Sequence, residues 1–333
     1  DTHYTEIPGR PALREAIAAR YSKTLARALS AENVITVAGA QNALFVTSLC
    51  LLQAGDEVLV LDPMYVTYEA TLKASGATLV RVPCSPESGF RLDAQLLGAA
   101  ITPRTRAIFF SNPNNPTGVV HTREELTTLA TLANKHGIRI LSDEIHAPLT
   151  MPGYEFISIL DIPEAADAIV VTSASKSYNL AGLKGALIVT RKESSEFVRS
   201  MKAEYLEAPS HLGTIAHVAA LRGGDEWIAA VNKDIDRNRH LAFRQADAAH
   251  AEEGVFFLGD RPVRQRFVTA HIQGAHHQRT PGKAVEYAAV FGFLGGFVRG
   301  LGMGHENQFG TQQANAFGAL LDRRGHSCAF ADI

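Results

Sequence analysis

Three segments of the chain carry residues whose types and spacing could do chemistry. Lys176 stands in Thr172-Ser173-Ala174-Ser175-Lys176-Ser177, directly after the apolar run 168–172, with small hydroxyl residues on both sides. Thirty-three residues before it, the run 138–142 delivers Asp143-Glu144-Ile145-His146. Earlier still, 107–110 delivers Ser111-Asn112-Pro113-Asn114-Asn115-Pro116-Thr117-Gly118. If each run is a buried strand of an α/β sheet, an amide, a carboxylate and an amine meet at one carboxyl edge, where such sheets keep their ligands. A lysine kept buried there tends to lose its proton and become a nucleophile. Alone, a lysine is most often a solvated surface charge; the companions change that reading.

The elements that must position these residues are legible from apolar periodicity. Helical spacing runs from Pro11 to about residue 29, with Pro11 suited to a first helical turn. Strand-then-helix units follow: Val34–Val37 with a helix from about Ala40, 57–61 with a helix from about Tyr65, and 78–82 with a helix from about Leu92. Further short strands are expected at 106–110, 138–142, 168–172 and 185–189. This alternation predicts an α/β fold with a doubly wound, mostly parallel sheet and helices on both faces. A long helix over about 226–250 carries the chain out of a large domain, 1–240. A smaller α+β domain, 241–333, would follow, with a strand at 253–258 and a last helix at 314–324.

Composition narrows the function classes. With 333 residues, 46% of them hydrophobic, the chain can bury a sizeable core. A net charge of −2 gives no electrostatic case for nucleic acid or a membrane surface, and the apolar stretch 43–52 is too short to span a bilayer. Cys50, Cys84 and Cys328 are odd in number and lack ligand spacing, which favours a reduced, cytoplasmic setting over a disulfide framework. His276-His277 cannot share one face, so no metal is expected, and Gly300-Leu301-Gly302-Met303-Gly304 follows no clear strand, a poor dinucleotide fingerprint. No Gly-x-Ser-x-Gly elbow occurs.

Asn-Asn-Pro-Thr-Gly, Ser-Asp-Glu-Ile-His and Ser-Ala-Ser-Lys, in that order over about sixty residues, resemble the fold-type I pyridoxal-phosphate enzymes of the aminotransferase class I/II superfamily. The likeness is strong from residue 3 to about 239 and faint beyond. It implies pyridoxal 5'-phosphate as cofactor, bound as a Schiff base on Lys176, with Asp143 at the ring nitrogen and Asn115 donating to the phenolic oxygen and lying beside the substrate. His146 stands where many relatives carry a tyrosine. Gly39, Ala40 and Gln41, at a helix start, would present N–H groups to the phosphate, helped by Ser173, Ser175 and Lys184. Lys184 replaces a common arginine and gives up its bidentate fork. Tyr65 matches the aromatic that covers the ring face.

The resemblance also implies a homodimer, since Tyr4 matches a tyrosine that reaches the neighbouring subunit's phosphate, and it makes Arg299 the clamp on the substrate carboxylate. Relatives carry an arm before the segment matched by His3-Tyr4-Thr5, and that arm is expected to be missing here. Two activities fit: amino transfer from an L-amino acid to a 2-oxo acid, and C–S β-elimination from cystathionine-like substrates. The first half of the chain looks like aspartate-type and arginine–pyruvate-type transaminases. Asp143-Glu144-Ile145-His146, the 175–183 segment and Gly224-Asp225-Glu226-Trp227 look like β-lyases. A non-catalytic protein of the same fold is a third reading, against which Lys176, Asp143 and Asn115 argue together. Amino transfer is the leading expectation.

Overall fold

The computed structural model describes residues 6–252 apart from 24, 26, 27, 192–195, 197–200, 207 and 208. The chain divides into two compact units, Asp1–Asn238 and Arg239–Ile333. Of the second, only the end of one helix is described. Tyr4, Arg299, the predicted strand 253–258 and the predicted helix 314–324 lie outside the described residues.

Seven strands make one sheet: β1 Val34–Val37, β2 Glu57–Asp62, β3 Thr78–Pro83, β4 Thr105–Ser111, β5 Arg139–Asp143, β6 Ile169–Thr172 and β7 Ala186–Thr190. Their spatial order is β1-β7-β6-β5-β4-β2-β3. The helices of the described residues are α1 Pro11–Ser22, α2 Ala40–Leu51, α3 Tyr68–Lys73, α4 Ala94–Ala100, α5 Arg123–Lys135, α6 Ala203–Leu206, α7 His211–Gly223 and α8 Asp225–Glu252. Each strand predicted before residue 191 is present within one residue of its expected ends. The β2–β3, β2–β4, β4–β5 and β5–β6 pairs are parallel, whereas β7 runs antiparallel to both neighbours. The reversal has a local cause: β6 and β7 are joined by 173–185 with only a 3-10 turn at Ala181–Leu183, too little for a helical crossover.

The strands are continuous apolar runs because both faces of the sheet are covered. Leu59, Leu61, Ile108, Phe110, Ile140 and Val170 face one core layer, shared with Leu13 and Ile17 of α1 and Leu126 and Leu129 of α5. Their neighbours Val58, Val60, Phe109, Leu141, Ile169 and Val171 face the other, shared with Leu44 of α2 and Leu72 of α3. Each such buried leucine contributes about 1.5–3 kcal/mol relative to an exposed one.

Three helix ends differ from the sequence expectation. α1 stops at Ser22 rather than near residue 29. The Ser22 hydroxyl donates to Ala18 O at 2.7 Å and accepts from Leu29 N–H at 2.7 Å, folding the chain back on the helix end. α3 begins at Tyr68 rather than Tyr65, after a turn in which Tyr68 N–H bonds to Tyr65 O at 3.1 Å. α4 begins at Ala94 because the Asp93 carboxylate caps the N–H groups of Gln95 and Leu96 at 2.8 and 3.0 Å.

Candidate active site

Parallel β2, β4, β5 and β6 end at one edge, with Ser111 level with Asp143 and Asp143 level with Val171. Because β7 is reversed, it starts at that edge, and β1, antiparallel to β7, ends there. The topology therefore gathers residues 37–41, 62–68, 111–118, 143–146, 173–176 and 184–185 along one rim.

Asp143 is the buried last residue of β5. Its Oδ1 accepts from Ile145 N–H at 3.1 Å, and its Oδ2 accepts from the Tyr68 hydroxyl at 2.7 Å. Burial pushes the carboxyl above its ordinary range, against the opposing pull of those two donors and of the Lys176 charge. Tyr68 packs on Phe109 with ring centroids 4.3 Å apart. Burial first, and the Asp143 carboxylate second, push its phenol up, so the hydroxyl keeps its proton and donates.

Lys176 stands on the turn 174–178 and its side chain is exposed, which corrects the buried lysine expected from the sequence. Ala174, Ser177 and Tyr178 take the inward positions of that turn and leave residue 176 outward. The turn is fixed by Tyr178 N–H to Ala174 O at 3.0 Å and by Trp227 Nε1–H to Ser177 O at 3.0 Å. The Lys176 charge acts on both Asp143 and His146. Burial, and then that charge, push the His146 imidazole down to about 4, so it is neutral at pH 7. Asn115 sits in a turn braced by Asn114, whose Oδ1 accepts from Thr117 Oγ1 at 2.8 Å, while Asn115 N–H donates to Ser111 Oγ at 3.1 Å. The Asn115 side-chain amide makes no hydrogen bond among the described residues.

On the opposite side of the lysine turn, Gly39 caps α2 at φ +100°, a backbone state open to glycine and strained for other residues. The N–H groups of the first turn, Ala40 and Gln41 among them, have no partner within the helix. The Gln41 side chain is used elsewhere: its Oε1 accepts from Thr67 Oγ1 at 2.8 Å and its Nε2 donates to Thr71, tying α2 to α3. Ser173 is buried and Ser175 half-buried, with their hydroxyl oxygens 2.6 Å apart. Lys184 is exposed, in a left-handed conformation at φ +50°. Tyr65 is half-buried, its ring edge-on to Tyr68 at 5.6 Å and 81°.

Three residues of this rim were not assigned roles from sequence. Tyr68 stands three residues after Tyr65, but its contact to a residue 75 positions away is a product of the fold. Glu144 is fully buried and accepts from the hydroxyls of Tyr21 at 3.1 Å, Ser142 at 3.3 Å and Ser158 at 2.8 Å and from Ile159 N–H at 3.0 Å. Burial nonetheless pushes its carboxyl up to about 7. Tyr68 approaches Asp143 from α3 while Tyr21 approaches Glu144 from α1, so adjacent carboxylates serve opposite faces of the sheet. His217, buried on α7, touches Ser173 and gave no local signal beyond a lone histidine in an apolar helix.

Residues 1–257 match the family described as Aminotransferase class I and II, and the chain belongs to that family. It is 39% identical over 225 residues to the arginine–pyruvate transaminase AruH of Pseudomonas aeruginosa, covering 63% of this chain and 57% of that protein. It is 36% identical over 236 residues to a Mycobacterium leprae protein provisionally named a cystathionine beta-lyase, covering 68% of this chain and 53% of that one. The chain thus spans little more than half the length of these two relatives. Among solved structures, the aspartate aminotransferase from Thermus thermophilus with maleate superposes with a TM-score of 0.69 at 31% identity, over 74% of this chain and 65% of that one.

Pyridoxal 5'-phosphate is the cofactor of this family, and the rim fits it. A buried carboxylate with raised proton affinity suits a ring N–H, an amine stands beside it, and a helix N-terminus with paired hydroxyls suits a phosphate.

Proposed function

We propose that the chain is a pyridoxal-phosphate-dependent aminotransferase that moves an amino group from an L-amino acid to a 2-oxo acid. The observation that carries this reading is the convergence of Asp143, Asn115 and Lys176 at the ends of three adjacent strands, with the Lys176 charge felt at Asp143. The bound cofactor supplies an electron sink for the bond broken at the substrate Cα. Lys176 Nζ would hold the cofactor through its aldehyde and, when free, would take the proton from the substrate Cα and return it. Asp143, held by Tyr68 and Ile145 N–H, keeps the proton on the ring nitrogen. Asn115 donates to the phenolic oxygen. Neutral His146 lies on the same side and adds no competing charge. Tyr65 would cover a ring face, and the N–H groups following Gly39, with Ser175 and Lys184, would hold the phosphate.

Arg299 as carboxylate clamp, Tyr4 as a residue reaching a second copy in a homodimer, a cytoplasmic setting, and a large domain 1–240 followed by a small domain 241–333 complete the proposal. Support for amino transfer comes from the AruH likeness. A C–S β-lyase is the second reading, favoured by His146 and by the Mycobacterium leprae relative. The test is purified holoenzyme with a panel of amino acids, with and without 2-oxo acids, while keto acid, ammonia and thiol are measured. Amino transfer should dominate, with a slower β-lyase side activity. Faster release of ammonia from S-substituted cysteines than amination of any 2-oxo acid would replace the first reading by the second.

A further inference from the structure

Phe109 and Ser111 alternate along β4 as Leu141 and Asp143 do along β5, so the four side chains share one face of the sheet. Ser111 is paired with Asp143 across those two strands. The Tyr68 ring lies on Phe109, and its hydroxyl reaches Asp143 Oδ2 at 2.7 Å. Ser111 thus stands beside the contact between Tyr68 and Asp143, on the same face. It is buried, and its hydroxyl offers one proton and two lone pairs.

Both lone pairs are taken by the turn that carries Asn115. Asn115 N–H donates to Ser111 Oγ at 3.1 Å, and the Asn114 Nδ2 amide donates to it at 3.2 Å. The Asn114 amide has a fixed orientation, because its Oδ1 accepts from Thr117 N–H at 3.2 Å and from Thr117 Oγ1 at 2.8 Å. Toward any further partner, Ser111 can only donate. Its proton goes to the Tyr68 oxygen, a hydrogen bond that opposes the rise which burial and the Asp143 carboxylate impose on that phenol. A Tyr68 oxygen that accepts from Ser111 keeps its own proton for Asp143. The protons of Asn115 N–H, the Ser111 hydroxyl and the Tyr68 hydroxyl therefore all run toward the carboxylate, and donors aligned in series strengthen one another.

We infer that Ser111 is a positioning residue for Asp143: filled as an acceptor by the Asn115 turn, it sets the direction of the Tyr68 proton and so keeps the carboxylate ionised toward the cofactor's ring nitrogen. This rests on that nitrogen lying at Asp143 as proposed above. The test uses the full-length holo chain, with kinetics and with nitrogen NMR of cofactor labelled at the ring nitrogen. Ser111→Ala should lower kcat/KM about fivefold, the scale of one neutral hydrogen bond. It should also move the ring-nitrogen resonance toward its unprotonated position, because a carboxylate with weaker donors draws the shared proton to itself. Ser111→Thr, which restores the hydroxyl, should regain most of both. Since Ser111 acts through Tyr68, neither effect should persist when Ser111→Ala is added to Tyr68→Phe, a non-additive pair. If Ser111 only braced the Asn115 turn, its loss would cost as much in the Tyr68→Phe chain as in wild type. That result, or a Ser111→Ala chain indistinguishable from wild type, overturns the inference. If Ser111→Ala does not fold, Ser111→Cys, whose thiol is a weak donor, decides by the same cycle: a loss confined to the chain with Tyr68 supports the inference, and an absent or additive one overturns it. An unprotonated ring nitrogen in wild type overturns the Asp143 reading, and this inference with it.

Discussion

The Tyr68 hydroxyl donates a 2.7 Å hydrogen bond to Asp143 Oδ2, joining the first residue of α3 to the last residue of β5. It gives the buried carboxylate a second donor beside Ile145 N–H and leaves its remaining lone pairs for a ring nitrogen. Tyr68→Phe keeps the packing on Phe109 and removes only the donor. A hydrogen bond to a charged group is worth about 1.5–3 kcal/mol, so kcat/KM should fall roughly ten- to a hundredfold while the thermal midpoint moves little. Kinetics within twofold of wild type would mean the contact serves packing alone.

Asp143→Asn tests the carboxylate directly. The amide cannot balance a protonated ring nitrogen, so the variant should bind cofactor and lose about 3 kcal/mol of transition-state stabilisation, the scale of one electrostatic partner. Stopped-flow single turnovers on the folded variant would check it. Near-wild-type turnover would show that the ring nitrogen is partnered elsewhere.

For Lys176 the readout is covalent. Borohydride reduction of the holo chain followed by peptide mapping should place a pyridoxyl label on Lys176. The exposed turn leaves the amine open to reagent. A label on another lysine, or none on folded protein, would contradict its role.

Much of this site was legible because its residues follow apolar runs that could only be strands buried on both faces. That Asp143, Asn115 and Lys176 follow strand ends was legible from the apolar runs, whereas the choice of Asn115 over Asn112 and Asn114 and the role given to each came from the family resemblance. The reversal of β7 was not legible, because an apolar run looks alike in either direction; it shows only in the short 173–185 link. α5 was overlooked although Thr122 and Glu125 form a reciprocal capping box, with Glu125 N–H to Thr122 Oγ1 at 3.2 Å and Thr122 N–H to Glu125 Oε2 at 2.8 Å. Tyr68, Glu144 and His217 were beyond reach for another reason: each meets its partner only where a helix packs against the sheet.

A homodimer follows from the proposed role of Tyr4 and is checked by light scattering of the holo form, which should give twice the chain mass. A monomer with full activity would remove Tyr4 from the phosphate site.

Glu144 should leave its mark on stability rather than on chemistry. Its carboxyl, ordinarily near 4.5, is pushed up to about 7 by burial in the fold. Between those values the folded chain holds a proton that the unfolded chain has released, so the stabilisation is fully present below pH 4.5 and is lost as pH rises through about 7. Above that, the fold carries a buried charge held by Tyr21, Ser142, Ser158 and Ile159 N–H. Glu144→Gln never ionises, so its cost relative to wild type should be smaller at pH 8 than at pH 5, by up to about 3 kcal/mol. Urea unfolding of both chains at the two pH values measures it, and titrations common to the two cancel in the difference. A cost that is equal at both pH values, or larger at pH 8, would mean that the four donors outweigh burial and that Glu144 is ionised throughout.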